Sequence, residues 1–317
     1  MNRLGLQHTT YNLGDLGNTV GDLLLDGRTN ETAFAFSTRK LRRTYTGSSL
    51  RIRRSSDNAE QDIGFNANNE LDTAAISSFV GANSAFVVTW YDQGIGGHHV
   101  TQATTTLQPR IVLNGTLQTG ANGKPGMFFD GADYLVRTTH DVNANSWTAV
   151  TTFHVFAMRL NMAADTGHGC IAHIGRHDSN VYWTMGAVTS TLTGETVAFL
   201  SNNNNVRIGA SEANYDLSGS QYVVEDWQAT SGGFELFSNN VQRTFDLFDG
   251  GASAATHLTP DVHATDYDAV GLAIGAMAWN ASTNFHVDGV VQEVIHMKEA
   301  SDRAKFRNNI NEYYALY

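Results

Sequence analysis

The chain has 317 residues, 41% hydrophobic and 16% charged, which is apolar material enough for one large globular domain. Its formal net charge of -11 argues against binding along duplex nucleic acid, and its single cysteine, Cys170, excludes an intrachain disulfide framework and a cysteine-based zinc site. The longest apolar run, Ala269 to Trp279, is too short to span a bilayer as a helix and is broken by Gly271 and Gly275.

Residues 1–30 carry Gly and Asn punctuation around Tyr11 to Asn18, then Leu23-Leu24-Leu25. This stretch reads as an N-terminal arm for attachment or inter-subunit contacts, or as an extra strand or short helix on the same domain. It lacks the apolar core and cleavage site of a Sec signal. No linker interrupts residues 31–317, which read as one domain.

From Ala33 short apolar stretches alternate with turn signals, the pattern of an all-β sandwich. Leu50-Arg51-Ile52-Arg53 alternates as a half-buried strand and breaks at the turn cluster Ser55 to Asn58. Ser84 to Tyr91 is β-branched and aromatic and reads as a strand buried on both faces; Asp92 to His99 is a Gly-rich loop. Pro109 to Leu113 is a short strand, Asn122 to Gly126 a turn, and Met127 to Val136 a hairpin turning at Asp130-Gly131. Trp147 to Arg159 is a long strand, with further strands near Gly169–Gly175, Val181–Met185, Val197–Leu200, Gln221–Gln228, Gly233–Ser238, Val270–Ile274 and Gly289–His296. The one helix that stands out is the last, capped by Ser301 and repeating Phe306, Ile310 and Tyr313 on one face.

Seven of the 20 Lys and Arg fall in two neighbouring runs: Arg39, Lys40, Arg42, Arg43, Arg51, Arg53 and Arg54. Such a knot is either an anion site or an internal brace. By charge alone it looks like an anion site; Asp57, Glu60 and Asp62 lie close enough in sequence to pair with the arginines, and the family resemblance described next implies the brace.

An ordered series of segments carries a family resemblance: Ala35-Phe36-Ser37, Leu41-Arg42-Arg43, Tyr45-Thr46-Gly47, Arg51 to Asn58, Trp90-Tyr91-Asp92-Gln93, Thr101-Gln102-Ala103, Gln108-Pro109, Gly123-Lys124-Pro125 and Phe129-Asp130-Gly131. The series resembles the concanavalin A-like (laminin G-like) jelly-roll domains of bacteriophage and prophage virion proteins. It also looks like a looser relative of the catalytic domain of arabinofuranosidase-B-type glycoside hydrolases. The first likeness implies a jelly-roll β-sandwich with an N-terminal arm and a C-terminal helix. It implies a non-enzymatic structural protein on the phage particle surface, in a tail fibre, spike or capsid decoration. Its partners would be other virion proteins and a host surface glycan, or virion proteins alone if it is a purely structural decoration protein without a ligand, with no nucleic acid and no membrane insertion, and it would be a homo-oligomer made in the host cytoplasm.

The second likeness implies a glycosidase, which needs two carboxyl groups flanking one bond. In that family the acid/base follows a Gly-Ile-Gly-Gly segment; here the matching stretch is Ala273 to Met277, and the Met277 thioether cannot donate a proton. The family's Met-Glu-Asn-Asn nucleophile segment has no secure counterpart. Glu195 with Asp266 or Asp268 would be the pair under this reading. Glu225 and Asp226 are adjacent, so on a strand they point to opposite faces.

The expectation is therefore no catalytic residues and no metal ligands. Ligand contacts are expected from Asp92, His98 and His99 in the Gly-rich loop and from Trp279 and Asn280, an aromatic beside a polar loop. No cofactor is expected, with calcium at the loop carboxylates Asp92, Asp130 and Asp133 as the exception to consider. His168, His173 and His177 surround Cys170 but match no zinc spacing.

Overall fold

A computed structural model of the chain describes residues 23–28, 30–139, 149–158, 169–176, 181–185, 199–201, 207–208, 223–230, 233–243, 247–248, 271–279, 282–284, 286–298 and 302–317. Strands run through it in the order β1 (Thr32–Ser37), β2 (Leu50–Arg54), β3 (Glu60–Ile63), β4 (Ala85–Trp90), β5 (Val100–Thr101), β6 (Arg110–Leu113), β7 (Thr116–Leu117), β8 (Met127–Asp130) and β9 (Leu135–Arg137). The series continues with β10 (Ala149–Met158), β11 (Ala172–Arg176), β12 (Val181–Met185), β13 (Phe199–Ser201), β14 (Arg207–Ile208), β15 (Val223–Thr230) and β16 (Gly233–Ser238). It ends with β17 (Val241–Arg243), β18 (Leu247–Phe248), β19 (Leu272–Ile274), β20 (Met277–Trp279), β21 (Ser282–Asn284) and β22 (Asp288–Met297). Helices α1 (Thr73–Val80) and α2 (Arg303–Tyr314) complete it.

The ladders are antiparallel and form two layers. A front sheet runs β3-β2-β4-β5-β9-β19-β11-β12-β13-β14-β18. A back sheet runs β17-β16-β15-β10-β22-β1, with β8 sharing the β1 side of β22. Strand β6 pairs with both β4 and β8 and turns the corner between the layers.

Alternation of side chains decides what fills each layer. Leu50, Ile52, Val87, Trp90, Leu135, Ile174 and Leu272 of the front sheet meet Phe34, Phe156, Val291 and Val294 of the back sheet in one core. The other face of the back sheet, with Phe153, Val155, Val224, Ile295 and Met297, is covered by Phe306, Ile310 and Tyr314 of α2. Phe153 and Phe306 stack with ring centroids 4.7 Å apart. The all-β sandwich with a C-terminal helix is thus the fold.

Several local expectations change. Met127 to Val136 is not a hairpin: β8 pairs with β22 and β6, whereas β9 pairs with β5 and β19, so the chain crosses between layers at Gly131 to Tyr134. Helix α1 lies in a stretch to which the sequence pattern assigns no element; Asp72 caps it by accepting from the Ala75 N–H, and Ile76 and Val80 anchor it. The cap of α2 is Asp302, which accepts from the Lys305 N–H, in place of Ser301. Strand β4 is buried at Ala85, Val87, Thr89 and Trp90 but only half-buried at Phe86 and Val88. Of the N-terminal stretch, Leu24 and Leu25 pack under α2, and the Leu25 N–H donates to the Leu41 carbonyl.

Candidate functional site

On the face of the front sheet away from the core, strand register lines up one row of residues, polar at its β3–β2–β4–β5 end. Asp62 faces Arg51, Arg51 faces Thr89, Thr89 faces Thr101, Thr101 faces Val136, Val136 faces Ala273, and Ala273 faces His173. Their chain neighbours Leu50, Val100, Leu135 and Ile274 point into the core, so these residues take the opposite face, which is open at Asp62, Arg51 and Thr101 and buried at Thr89, Ala273 and His173. The register of β2 against β4 shifts between Arg51 and Ile52.

Polar side chains gather at the β2–β4–β5 end of this row. The Arg51 guanidinium forks onto both oxygens of Asp62 at 2.8 Å, and the Tyr91 hydroxyl donates to the same carboxylate at 2.7 Å. Arg51 holds the Asp62 carboxyl below its usual range, while burial and then Asp62 push the Tyr91 phenol up to about 12. The His99 ring meets Tyr91 edge-on at 5.0 Å, and its Nδ1 accepts the Asp92 backbone N–H at 3.0 Å. That bond requires an unprotonated Nδ1, so the neutral ring carries its proton on Nε2. Burial lowers the His99 pKa, keeping the ring neutral.

The loop that presents His99 is held from beneath. Asp92 is buried, and its carboxylate accepts the N–H groups of Ala35 and Gly94 at 2.7 Å and of His98 at 2.9 Å. Gln93 accepts the Leu41 N–H at 2.8 Å and donates to the carbonyls of Ser37 and Arg39. Trp-Tyr-Asp-Gln therefore ties the loop to β1 and to the segment after it. Of the five expected ligand contacts, His99 reaches the outer face, Asp92 and His98 are buried in the loop, Trp279 sits in β20, and Asn280 lies outside the described residues.

The basic knot is mostly a brace. Arg39 forks onto the buried Glu293 and stacks on Tyr313. Arg43 pairs with Asp26 and Arg54 with Asp57. Arg53 is buried over Phe86 and donates to Gln108 Oε1, Asn58 Oδ1 and the Thr105 carbonyl, so amides take the place expected for carboxylates.

One feature escaped the sequence reading, the state of Asp133. It lies buried in the crossover between β8 and β9, accepts the Asp130 N–H at 3.1 Å, and is pushed up to about 7 by burial and by the Asp130 charge. Asp130 itself is exposed and accepts the Ala132 N–H at 3.0 Å. The signal was the spacing Asp-Gly-x-Asp, which places a second carboxyl over an Asx turn. Among the described residues no three His, Cys, Asp or Glu side chains come together as a metal site. Glu195, Asp266, Asp268, His168 and His177 lie outside the described residues.

Residues 21–131 match the family model described as alpha-L-arabinofuranosidase B, catalytic. A GH54 α-L-arabinofuranosidase soaked with a cyclic sulfate inhibitor superposes with a TM-score of 0.53 at 15% identity, over 92% of this chain and 64% of that one. An arabinofuranosidase complexed with arabinofuranosyl-α-1,2-xylobiose superposes with a TM-score of 0.53 at 17% identity, with the same coverage of 92% and 64%. The Ruminococcus gnavus IT-sialidase CBM40 gives a TM-score of 0.43 at 11% identity, over 59% of this chain and 97% of that one. No curated protein matches. The chain thus spans 64% of the length of the arabinofuranosidase structures, at identities that speak for the fold. The non-enzymatic expectation is corrected by the first of these findings, since the model that residues 21–131 match is that of a catalytic domain; the structural likeness shows a fold shared with the arabinofuranosidase structures.

Proposed function

We propose that the chain is a glycoside-hydrolysing domain that takes a glycan across the outer face of its front sheet. The observation that carries this reading is the catalytic-domain match over residues 21–131, the segment that supplies Arg51, Asp62, Thr89, Tyr91, His99 and Thr101 to that face. Hydroxyl, guanidinium, carboxylate and imidazole groups beside an aromatic ring suit the alternating polar edge and apolar face of a sugar.

Hydrolysis asks for a proton donor and a second carboxylate on opposite sides of the scissile bond. Glu195 shortly precedes β13 in sequence, and Asp266 and Asp268 shortly precede β19; both strands belong to the front sheet, with β11 and β12 between them. We assign the pair to Glu195 and one of these aspartates, because Met277 stands where the related family has its acid.

The test is release of arabinose from 4-nitrophenyl α-L-arabinofuranoside and from arabinose-bearing polysaccharides. The wild type is expected to release sugar and Glu195→Gln to lose that activity. Release from none of these, nor from a panel of pyranosides, sinks the hydrolase reading. The setting we propose is a virion surface, as a homo-oligomer attached through residues 1–30, and it rests on the motif resemblance alone. Normal incorporation into particles after deletion of residues 1–30 would remove the attachment role.

A further inference from the structure

Two side-chain bonds close one loop from opposite ends. The Asp92 carboxylate accepts the His98 N–H at 2.9 Å, and the His99 ring reaches back to accept the Asp92 N–H at 3.0 Å. The other carboxylate oxygen accepts the N–H groups of Gly94 and of Ala35 in β1, both at 2.7 Å. Residues 92–99 thus form a closed loop of chain whose base is tied to the back sheet.

The glycines of the loop fit this arrangement. A Cβ on Gly94 would stand 3.0 Å from the Asp92 carboxylate and 3.4 Å from the Phe34 Cα, and one on Gly96 would strike the His98 ring. Gly97 takes a left-handed φ of 63°, and the His99 N–H donates back to its carbonyl at 2.8 Å. The loop shows little polar surface outward: Asp92 and His98 are buried, Ile95 is exposed and His99 is half-buried. With Nδ1 committed to the Asp92 N–H, the polar group His99 has left is its Nε2–H. It stands beside the Tyr91 ring, whose own hydroxyl is engaged by Asp62.

We infer that Asp92 is a positioning residue, its carboxylate shaping the loop so that the His99 Nε2–H stands as a fixed donor to a hydroxyl of a neutral glycan on the front sheet. This rests on the glycan reading above for the identity of the ligand. A neutral imidazole N–H donates to a neutral oxygen such as a sugar hydroxyl and asks no counter-charge of the ligand. A ring free to exchange tautomers would present a bare nitrogen part of the time. Fixing the tautomer therefore selects a sugar whose hydroxyl accepts at that point.

Nitrogen-15 NMR reads the His99 tautomer without any ligand, with His99→Gln to assign its signals. Calorimetry then measures arabinotriose binding, in chains that carry Glu195→Gln so that hydrolysis plays no part. In the parent, Nε2 is expected to be protonated and Nδ1 bare at neutral pH. Asp92→Asn offers one acceptor oxygen where two served three N–H groups. It should give a mixture of tautomers and bind arabinotriose about tenfold more weakly. Loss of the Asp92 charge also bears on the buried Arg42, which touches the loop at the Gly94 carbonyl, so a second variant is needed. Gly94→Ala keeps the charge and crowds the carboxylate, and it should shift tautomer and affinity in the same direction by less. A role confined to stability would lower the melting temperature of both variants and leave one tautomer and the parent affinity; that result overturns the inference. So does a tautomer mixture already present in the parent, or a mixture in the variants with unchanged affinity. A parent that fixes the tautomer but binds no arabinotriose removes the glycan reading and, with it, the ligand named here.

Discussion

The Asp133 carboxyl accepts the Asp130 backbone N–H at 3.1 Å while lying close enough to the Asp130 side chain for its own ionisation to be opposed. Burial is the larger cause, and together they raise its pKa from 3.8 to about 7. A carboxyl whose folded value exceeds its unfolded value lends full stability below the unfolded value. It loses that stability as pH rises through the folded one. Wild-type thermal stability should therefore carry a component that declines as pH rises from about 4 to about 7, on the order of 2 kcal/mol. Asp133→Asn should abolish that component. His154 works in the opposite direction: it is buried without hydrogen-bond partners, and burial holds it down at about 3. Its contribution is present above the ordinary histidine value and is lost as pH falls below it. Melting curves of wild type and Asp133→Asn across this range, differing by no pH-dependent term, would refute the assignment.

Two neighbouring arginines should behave differently on truncation. Arg53 is buried over Phe86 and supplies three hydrogen bonds, so Arg53→Ala leaves Gln108 and the Thr105 carbonyl without their donor and should cost about 3 kcal/mol. The Arg51–Asp62 pair is solvent-exposed on both sides and, despite its ideal fork, should contribute less than about 1 kcal/mol. Urea unfolding distinguishes them, and a larger loss for Arg51→Ala than for Arg53→Ala would contradict the burial argument.

His99 should show the reverse profile, a functional loss without a stability loss. Its ring is half-buried against Tyr91, and its Nε2–H faces away from the one bond that Nδ1 makes. His99→Asn is expected to raise KM for a glycan substrate several-fold while leaving the melting temperature close to wild type. Tyr91→Phe, which removes the hydroxyl from Asp62 but keeps the ring, should have a smaller effect. An unchanged KM in both variants would take the outer face out of the binding site.

The sandwich was legible because alternation and turn chemistry are local properties, and β10, β16 and β22 run close to where their patterns place them. Pairing was not. Met127 to Val136 has the look of a hairpin, yet its halves join different sheets, since a tight Asp-Gly turn and a layer crossing share one sequence signal. The same limit applied to the site. Asp92 and His99 stand seven residues apart in one Gly-rich loop, and nothing in their spacing tells which would be consumed by backbone N–H groups and which would face out. Arg53 illustrates it again: carboxylates close in sequence suggested its partners, whereas folding delivers Gln108 from a distant loop.

The docking of α2 gives the sharpest stability test. Asp226 is buried on β15 and accepts from Arg303 Nε at 2.6 Å and from Arg307 at 3.0 Å, with both guanidinium groups stacked on Phe237. One carboxylate thus neutralises two cations that the helix brings to the surface of the back sheet, with Glu235 assisting Arg303 from a more exposed position. Removing the central charge leaves two buried guanidinium groups facing each other. Asp226→Ala should therefore cost about 3–5 kcal/mol, more than any exposed ion pair among the described residues. Replacing all three members with apolar residues, as in Asp226→Leu with Arg303→Met and Arg307→Met, should restore much of the loss, because no charge is then left without a partner. Hydrogen exchange over Arg303–Tyr314 provides the local readout. The single variant should lose protection in the helix and the triple variant should regain it; full protection in Asp226→Ala would show that the apolar contacts of Phe306, Ile310 and Tyr314 suffice on their own.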